Sequence, residues 1–195
     1  MVKIVLDAGH GLNTPGKRSP DGEREWCFNN EVINACTEKL ATYENVQVMR
    51  VDDPTGKTDV SLRKRTDLAN RWNADIYVAV HHNANTGKWG SWTGVETYVM
   101  DSPTVGSTSL KLARLVGPQI AKAMGLKDRG VKRANFHVLR ETKMPAILTE
   151  GGFMDSLIDI KALRSKEKLK KQGETLAEVL AVYLKLQPKL EKKFI

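Results

Sequence analysis

Cysteine is scarce in this chain of 195 residues, with only Cys27 and Cys36 present. Both fall in one predicted helix. Nine residues at about 100° each put them on opposite faces, which excludes a disulfide between them and predicts packed thiols of a chain made in a reducing compartment. Long apolar runs are missing as well. No stretch approaches the roughly 20 apolar residues of a membrane span, and Met1-Val2-Lys3 passes straight into a strand without the apolar segment of a signal peptide. A chain synthesised in the cytoplasm without an export signal is therefore expected. Internal repeats and low-complexity tracts are absent, which argues against solenoids and disordered tails. Acidic residues are outnumbered, 23 against 31 Lys and Arg, leaving a net charge of +8. That excess suits a polyanionic partner such as nucleic acid, anionic lipid or an acidic wall polymer. From Lys161 onward ten Lys or Arg face four Glu, so +6 of the charge belongs to the C-terminal region.

What is present, at 41% hydrophobic and 28% charged residues, is enough to build one globular domain with a sizeable core. Strand-like runs occur at 3–8, Val46–Val51, Asp75–Val80, Gly94–Met100 and Pro145–Thr149, with a further short strand at Phe136–Leu139. Between them, helical spacing of apolar residues predicts helices over Glu25–Tyr43, Val60–Trp72, Gly106–Met124 and Glu174–Leu186. Residues 127–135 read as basic and irregular, and Pro188 starts a short tail. Alternating strands and helices predict a single α/β domain over 1–187, with a twisted, mostly parallel mixed sheet covered by helices on both faces and residues 188–195 as a tail or linker stub.

Three apolar runs end in polar groups suited to chemistry. The first is followed by Gly9-His10-Gly11, the third by His81-His82-Asn83, and the last by Glu150-Gly151-Gly152. In open α/β sheets the carboxyl ends of strands face a common crevice, so these groups can meet. A catalytic zinc site uses three nitrogen or oxygen ligands and leaves one position open, and His10, Glu25 and His81 can supply such a set. Amide hydrolysis also needs a proton carrier, a role open to Glu150, while Gly151 and Gly152 would let backbone approach a substrate. Each residue has a plainer reading. His10 can hold its loop by hydrogen bonds, Glu25 can serve the positive end of a helix, and only one of His81 and His82 can face a given cleft. Asp7 reads as a buried hydrogen-bond acceptor.

Taken together, Leu6-Asp-Ala-Gly-His10-Gly11, Glu25 with Asn30, Ser61-Leu62-x-x-Arg65-x-x-x-Ala69-Asn70, Ala74-Asp75-x-x-Val78-x-Val80-His81-x-Asn83, Gly94-Val95-Glu96-Thr97 and Pro145-Ala-Ile-Leu-x-Glu150-Gly-Gly-Phe153 resemble, in order, the zinc-dependent N-acetylmuramoyl-L-alanine amidases of the Amidase_3 type. Two departures stand out: Ala8 replaces a frequent Pro and Ala79 a frequent Ser. The resemblance implies Zn²⁺ on His10, Glu25 and His81, Glu150 as the catalytic carboxylate, and bacterial peptidoglycan as substrate. It selects Glu25 over its neighbours Glu23 and Glu31, and His81 over His82. For a wall hydrolase the missing export signal favours the catalytic domain of a phage endolysin or a mother-cell lytic amidase that reaches the wall after lysis or by separate release, and a monomer without a nucleic-acid partner is expected. Asn83, Arg129, Lys132 and Arg140 are expected on the substrate groove, with the Trp89–Trp92 loop at its rim. The basic C-terminal region would attract anionic wall polymers. A zinc peptidase of wall peptides and a non-catalytic basic binding domain are the alternatives.

Overall fold

The computed structural model describes residues 1–101 and 106–190. Six strands form one sheet in the order β2-β1-β3-β6-β4-β5. They are β1 (Val2–Ala8), β2 (Val46–Arg50), β3 (Ile76–Asn83), β4 (Val95–Val99), β5 (Asp128–Arg133) and β6 (Ala146–Phe153). All neighbours run parallel except β4 and β6, so the expected mostly parallel mixed sheet is present. The helices are α1 (Glu25–Leu40), α2 (Leu62–Trp72), α3 (Gly106–Met124), α4 (His137–Arg140), α5 (Ile160–Leu163) and α6 (Lys166–Leu184). Among the described residues no helix is long and apolar enough to cross a membrane.

Alternation along the strands divides the core in two. Ile4, Leu6, Ala8, Ile76, Val78 and Val80 point toward α1, α3 and α6, where Val32, Ile33, Val116, Ile120, Leu176 and Leu180 meet them. Val5, Tyr77, Ala79 and Leu148 point the other way, onto Ala69 of α2 and Val138 and Leu139 of α4. This two-sided burial is why the central strands read as continuous apolar runs. Ser61 and Ser165 cap α2 and α6 by accepting from Lys64 N and Lys168 N, as serine does at a helix start.

Several expectations change. The strands carrying the histidines and Glu150 do not stop before them: β3 runs through His81 and His82 to Asn83, and β6 through Glu150 to Phe153. Residues 128–133, expected to be irregular, form edge strand β5, whose lysine and arginines suit an exposed edge and whose Gly130 takes φ 77°. Residues 136–139, expected as a strand, belong to the turn of α4, with Leu139 N and Arg140 N donating to the Phe136 carbonyl. Four apolar or aromatic residues are too few for periodicity to separate strand from helix. Cys36 is fully buried, but Cys27 is exposed and both thiols are free. At the C-terminal side Gln187 and Lys189 pair through their backbones with Glu44 and Thr42, so the start of the expected tail lies against the α1–β2 connection. Residues 191–195 of that tail lie outside the described residues.

Candidate active site

The carboxyl ends of β1, β3 and β6 open on one edge of the sheet, and the antiparallel β4 brings its amino end to the same edge. His10 follows β1 in a left-handed conformation, φ 67°. Gly9 before it cannot be anything larger, because a Cβ there would sit 2.1–2.5 Å from three atoms of the His81 ring. The two imidazoles meet edge to face, 4.9 Å between centroids. Glu25, the first residue of α1 and 3% exposed, reaches both. Its Oε2 lies 3.3 Å from His10 Nε2 and its Oε1 2.9 Å from His81 Nδ1. One ligand atom from each residue falls within 4.8 Å of the others. Tetrahedral bonds of about 2.0–2.1 Å require ligand atoms roughly 3.3 Å apart, so this donor set fits a zinc ion with little adjustment.

Strand parity separates the paired histidines. His82 points into the helical layer, where its Nδ1 lies 2.8 Å from Asn29 Oδ1, its Nε2 3.4 Å from Gln172 Oε1, and its ring against Phe28. Burial pushes its pKa down to about 4, which keeps it neutral. Of the three glutamates near the start of α1, Glu23 pairs with Arg164 on the surface and Glu31 is exposed. Burial opposes charge on Glu25 and His81, but their mutual hydrogen bond and attraction, joined by His10, prevail. The Glu25 carboxyl is held well below the usual carboxylate range and His81 above the usual imidazole value.

Glu150 stands beside this triad by strand register. It pairs with His81 on one side and with Glu96 on the other, so the three side chains share one face of adjacent strands. Its Oε2 is buried and has no hydrogen-bond partner among the described residues. Burial, reinforced by Glu25 and Glu96 against the pull of His81 and Lys17, pushes its pKa up to about 8. Glu96 itself was singled out only as part of a motif. It is 5% exposed and held by Arg129 Nε at 2.7 Å, Tyr98 OH at 2.7 Å and Asn83 Nδ2 at 3.1 Å. A glutamate alternating inward with Tyr98 in an apolar strand was the available signal.

Lys17, Val60, Leu62, Phe136 and His137 join His10, His81 and Glu150 around a cleft of about 460 Å³. Asn83, Arg129, Lys132 and Arg140 do not line it. Asn83 and Arg129 serve Glu96, Lys132 is exposed on β5, and Arg140 bonds Asn135 and Glu141 at the end of α4. Gly151 and Gly152 face inward rather than toward substrate. A Cβ on Gly151 would come within 2.4 Å of Gln172 Nε2, and one on Gly152 within 2.9 Å of Leu126 Cδ1. The loop with Trp89 and Trp92 is latched by two buried aspartates. Asp155 Oδ2 accepts from the backbones of Asn85, Thr86 and Gly87, each at 2.8 Å, while Asp155 Oδ1 accepts from Trp92 Nε1 at 2.7 Å. Asp159 Oδ2 accepts from Gly94 N and Phe153 N.

Residues 4–182 match the Amidase_3 family, described as N-acetylmuramoyl-L-alanine amidase. The N-acetylmuramoyl-L-alanine amidase CwlM of Bacillus licheniformis is 41% identical over 168 residues, covering 85% of this chain and 62% of that protein. The endolysin of Bacillus phage SPP1 is 33% identical over 195 residues, covering 97% of this chain and 69% of its own length. Among solved structures, the catalytic domain of the amidase CwlV from Bacillus (Paenibacillus) polymyxa var. colistinus superposes with a TM-score of 0.86 at 28% identity, covering 96% of this chain and 100% of that domain. The chain spans about three-fifths of the length of the first curated relatives it matches.

Proposed function

The chain belongs to the Amidase_3 family of N-acetylmuramoyl-L-alanine amidases, and from that premise we propose that it hydrolyses bacterial peptidoglycan at the amide joining the lactyl group of N-acetylmuramic acid to L-alanine. His10, Glu25 and His81 are assigned as ligands of a Zn²⁺ ion, and residues 1–187 as the catalytic domain. Bound there, zinc would lower the pKa of a water to about 7 and polarise the carbonyl to be attacked. The protein supplies the rest. Glu150 accepts the water's proton at a carboxylate oxygen and returns it to the departing alanine nitrogen, so one group serves both halves of the reaction. Glu25 lies between the two imidazoles, so the three ligand atoms already converge. Glu96 is already bound by Arg129, Tyr98 and Asn83 and holds the strand next to Glu150 in place. The observation that carries the reading is the row His81, Glu150, Glu96: it sets an unpartnered buried carboxylate oxygen against a triad able to hold zinc.

All of these groups come from one chain, which is the basis for expecting a working monomer. Its place of action is taken to be the cell wall, reached after lysis or by separate release. Attraction of anionic wall polymers to the C-terminal region belongs to the same reading. The region's net charge is partly met within the protein, since Arg164 pairs with Asp21 and Glu23 outside the C-terminal region.

The test has two parts. Metal analysis of the purified protein should find zinc at one equivalent, and chelation should abolish wall hydrolysis with recovery on adding zinc back. Digestion of purified wall should then expose new amino termini on L-alanine and leave glycan chains intact. New termini elsewhere in the peptide would make the enzyme a zinc peptidase, and binding without cleavage would leave only a wall-binding domain.

A further inference from the structure

Arg65 is 1% exposed, among the largest fully buried side chains of the molecule. Neutralising Asp7 would occupy only part of its guanidinium, yet all five N–H donors are used. Nε donates to the Val60 carbonyl at 2.7 Å. One Nη1 hydrogen goes to Asp7 and the other to the Ala8 carbonyl at 2.9 Å. Nη2 donates to the His10 carbonyl at 3.0 Å and to Asp59 Oδ1 at 3.1 Å. Two of these acceptors, the carbonyls of Ala8 and His10, flank Gly9 in the turn that delivers His10. That turn holds His10 at φ 67°, a conformation that side chains with a Cβ adopt under strain.

The grip closes on itself. Asp59 Oδ2 accepts from Thr14 Oγ1 at 2.6 Å, and Thr14 Oγ1 accepts from Gly11 N at 2.9 Å. The peptide between His10 and Gly11 is thus held at its carbonyl by Arg65 and at its N–H by Thr14, with Asp59 joining the two. Asn29 Nδ2 bonds the Gly9 carbonyl at 3.0 Å.

We infer that Arg65 is a positioning residue for the metal centre: by binding the Ala8 and His10 carbonyls and Asp59 together, it holds His10 in the left-handed conformation that turns its imidazole toward Glu25 and His81. This rests on the zinc reading of the site. Its consequence is that Arg65, which offers the metal no ligand atom, sets metal affinity.

Arg65→Lys keeps a positive charge for Asp7 but has a single nitrogen that cannot also span the His10 carbonyl and Asp59. Loss of such an outer hydrogen-bonding partner typically weakens metal binding about 10–100-fold. Zinc affinity by competition with a chromogenic chelator should fall within that range in R65K, while far-UV circular dichroism stays that of the wild type. The visible spectrum of the Co²⁺-loaded variant should change, because the ligand geometry changes. Thr14→Val, on a partly exposed loop, breaks the same ring without touching the buried pair, and should weaken zinc binding about three- to tenfold. T14V decides the matter if R65K does not fold. Folded R65K with zinc affinity within twofold of wild type and an unchanged cobalt spectrum overturns the inference, as does an unaffected T14V when R65K is unfolded. Wild-type protein that binds no zinc overturns the inference and the amidase reading together, whereas tight wild-type binding with indifferent variants overturns the inference alone.

Discussion

Gly173→Ala should destabilise the protein even though alanine is the better helix former. Gly173 lies inside α6 where that helix crosses α1, and a Cβ there would come 2.2 Å from the Val32 carbonyl oxygen, 2.8 Å from Ala35 Cβ and 2.9 Å from Cys36 N. Two of the three obstacles are backbone of α1, so no side chain can rotate out of the way. Ordinary contact begins near 3.4 Å, which means the seam must open by about 1 Å. Overpacking of a filled core costs about 1–3 kcal/mol, and contact with rigid backbone belongs at the upper end. Against it stands a gain of about 1 kcal/mol in helix propensity. The net is a loss of about 2 kcal/mol, or a fall of about 4–8 °C in Tm for a chain of this size. Unfolding should be followed on metal-free protein, because metal binding adds stabilisation of its own. A G173A protein as stable as wild type, or more so, refutes the close approach of α6 to α1. The seam also matters to the site: Gln172 beside it touches His82, and α1 begins with Glu25.

Glu150→Gln should lower wall hydrolysis about 10²–10⁴-fold while zinc affinity stays within threefold, since a proton carrier is lost and no ligand is; comparable losses of both would make Glu150 part of the metal set. Asp155→Asn replaces an acceptor of four hydrogen bonds by a group that must present two hydrogens of its own, and should cost about 1.5–3 kcal/mol. Faster proteolytic cleavage within residues 85–92 with unchanged zinc affinity is the expected signature, and unaltered cleavage argues against the latch. Raising NaCl from about 0.05 to 0.5 M should weaken wall binding several-fold if the basic C-terminal region attracts the wall, and salt-independent binding removes that role.

The main elements and the candidate site were legible because they rest on short-range pattern. Val2–Ala8 and Ile76–Val80 read as buried strands from their apolar runs, and α1 from the spacing of Phe28, Val32, Ile33, Cys36 and Leu40. What local pattern could not settle was direction. Apart from the ordered motifs that select Glu25, nothing in its local pattern distinguishes it from Glu23 or Glu31; the physical difference is that the fold places the start of α1 under two imidazoles. The choice between His81 and His82 was reduced to one of two by parity, but which face holds the cleft depends on where α1 and α2 dock. That the arginines expected on the groove lie outside the cleft lining has a related reason. Arg129 is basic and near the site in sequence pattern, yet its partner, Glu96, sits 33 positions away on the neighbouring strand. Arg65 was visible as a motif residue, but its role depends on carbonyls, which a sequence does not display.

Three glutamates meet at the same edge of the sheet, Glu25 and Glu96 buried and Glu150 half-buried with its Oε2 enclosed, and their partners divide the work among them. Glu25 is taken up by two imidazoles and the backbone of His82, and Glu96 by an arginine, a tyrosine and an asparagine. Each is thereby held in one orientation by its partners. Of the three, Glu150 has a buried oxygen without a hydrogen-bond partner among the described residues, so a proton placed on that oxygen would displace no hydrogen bond. Register makes this division possible. Inserting β6 between the parallel β3 and the antiparallel β4 brings Glu150 level with His81 and Glu96 at once, and a slip of one residue would turn it toward Gln172 and His82 on the opposite face. Gly151 occupies that opposite face next in the strand, where a side chain would strike both of them. The glycine after Glu150 therefore protects the register that aims the glutamate, which is a stronger reason for its place in the motif than access for substrate.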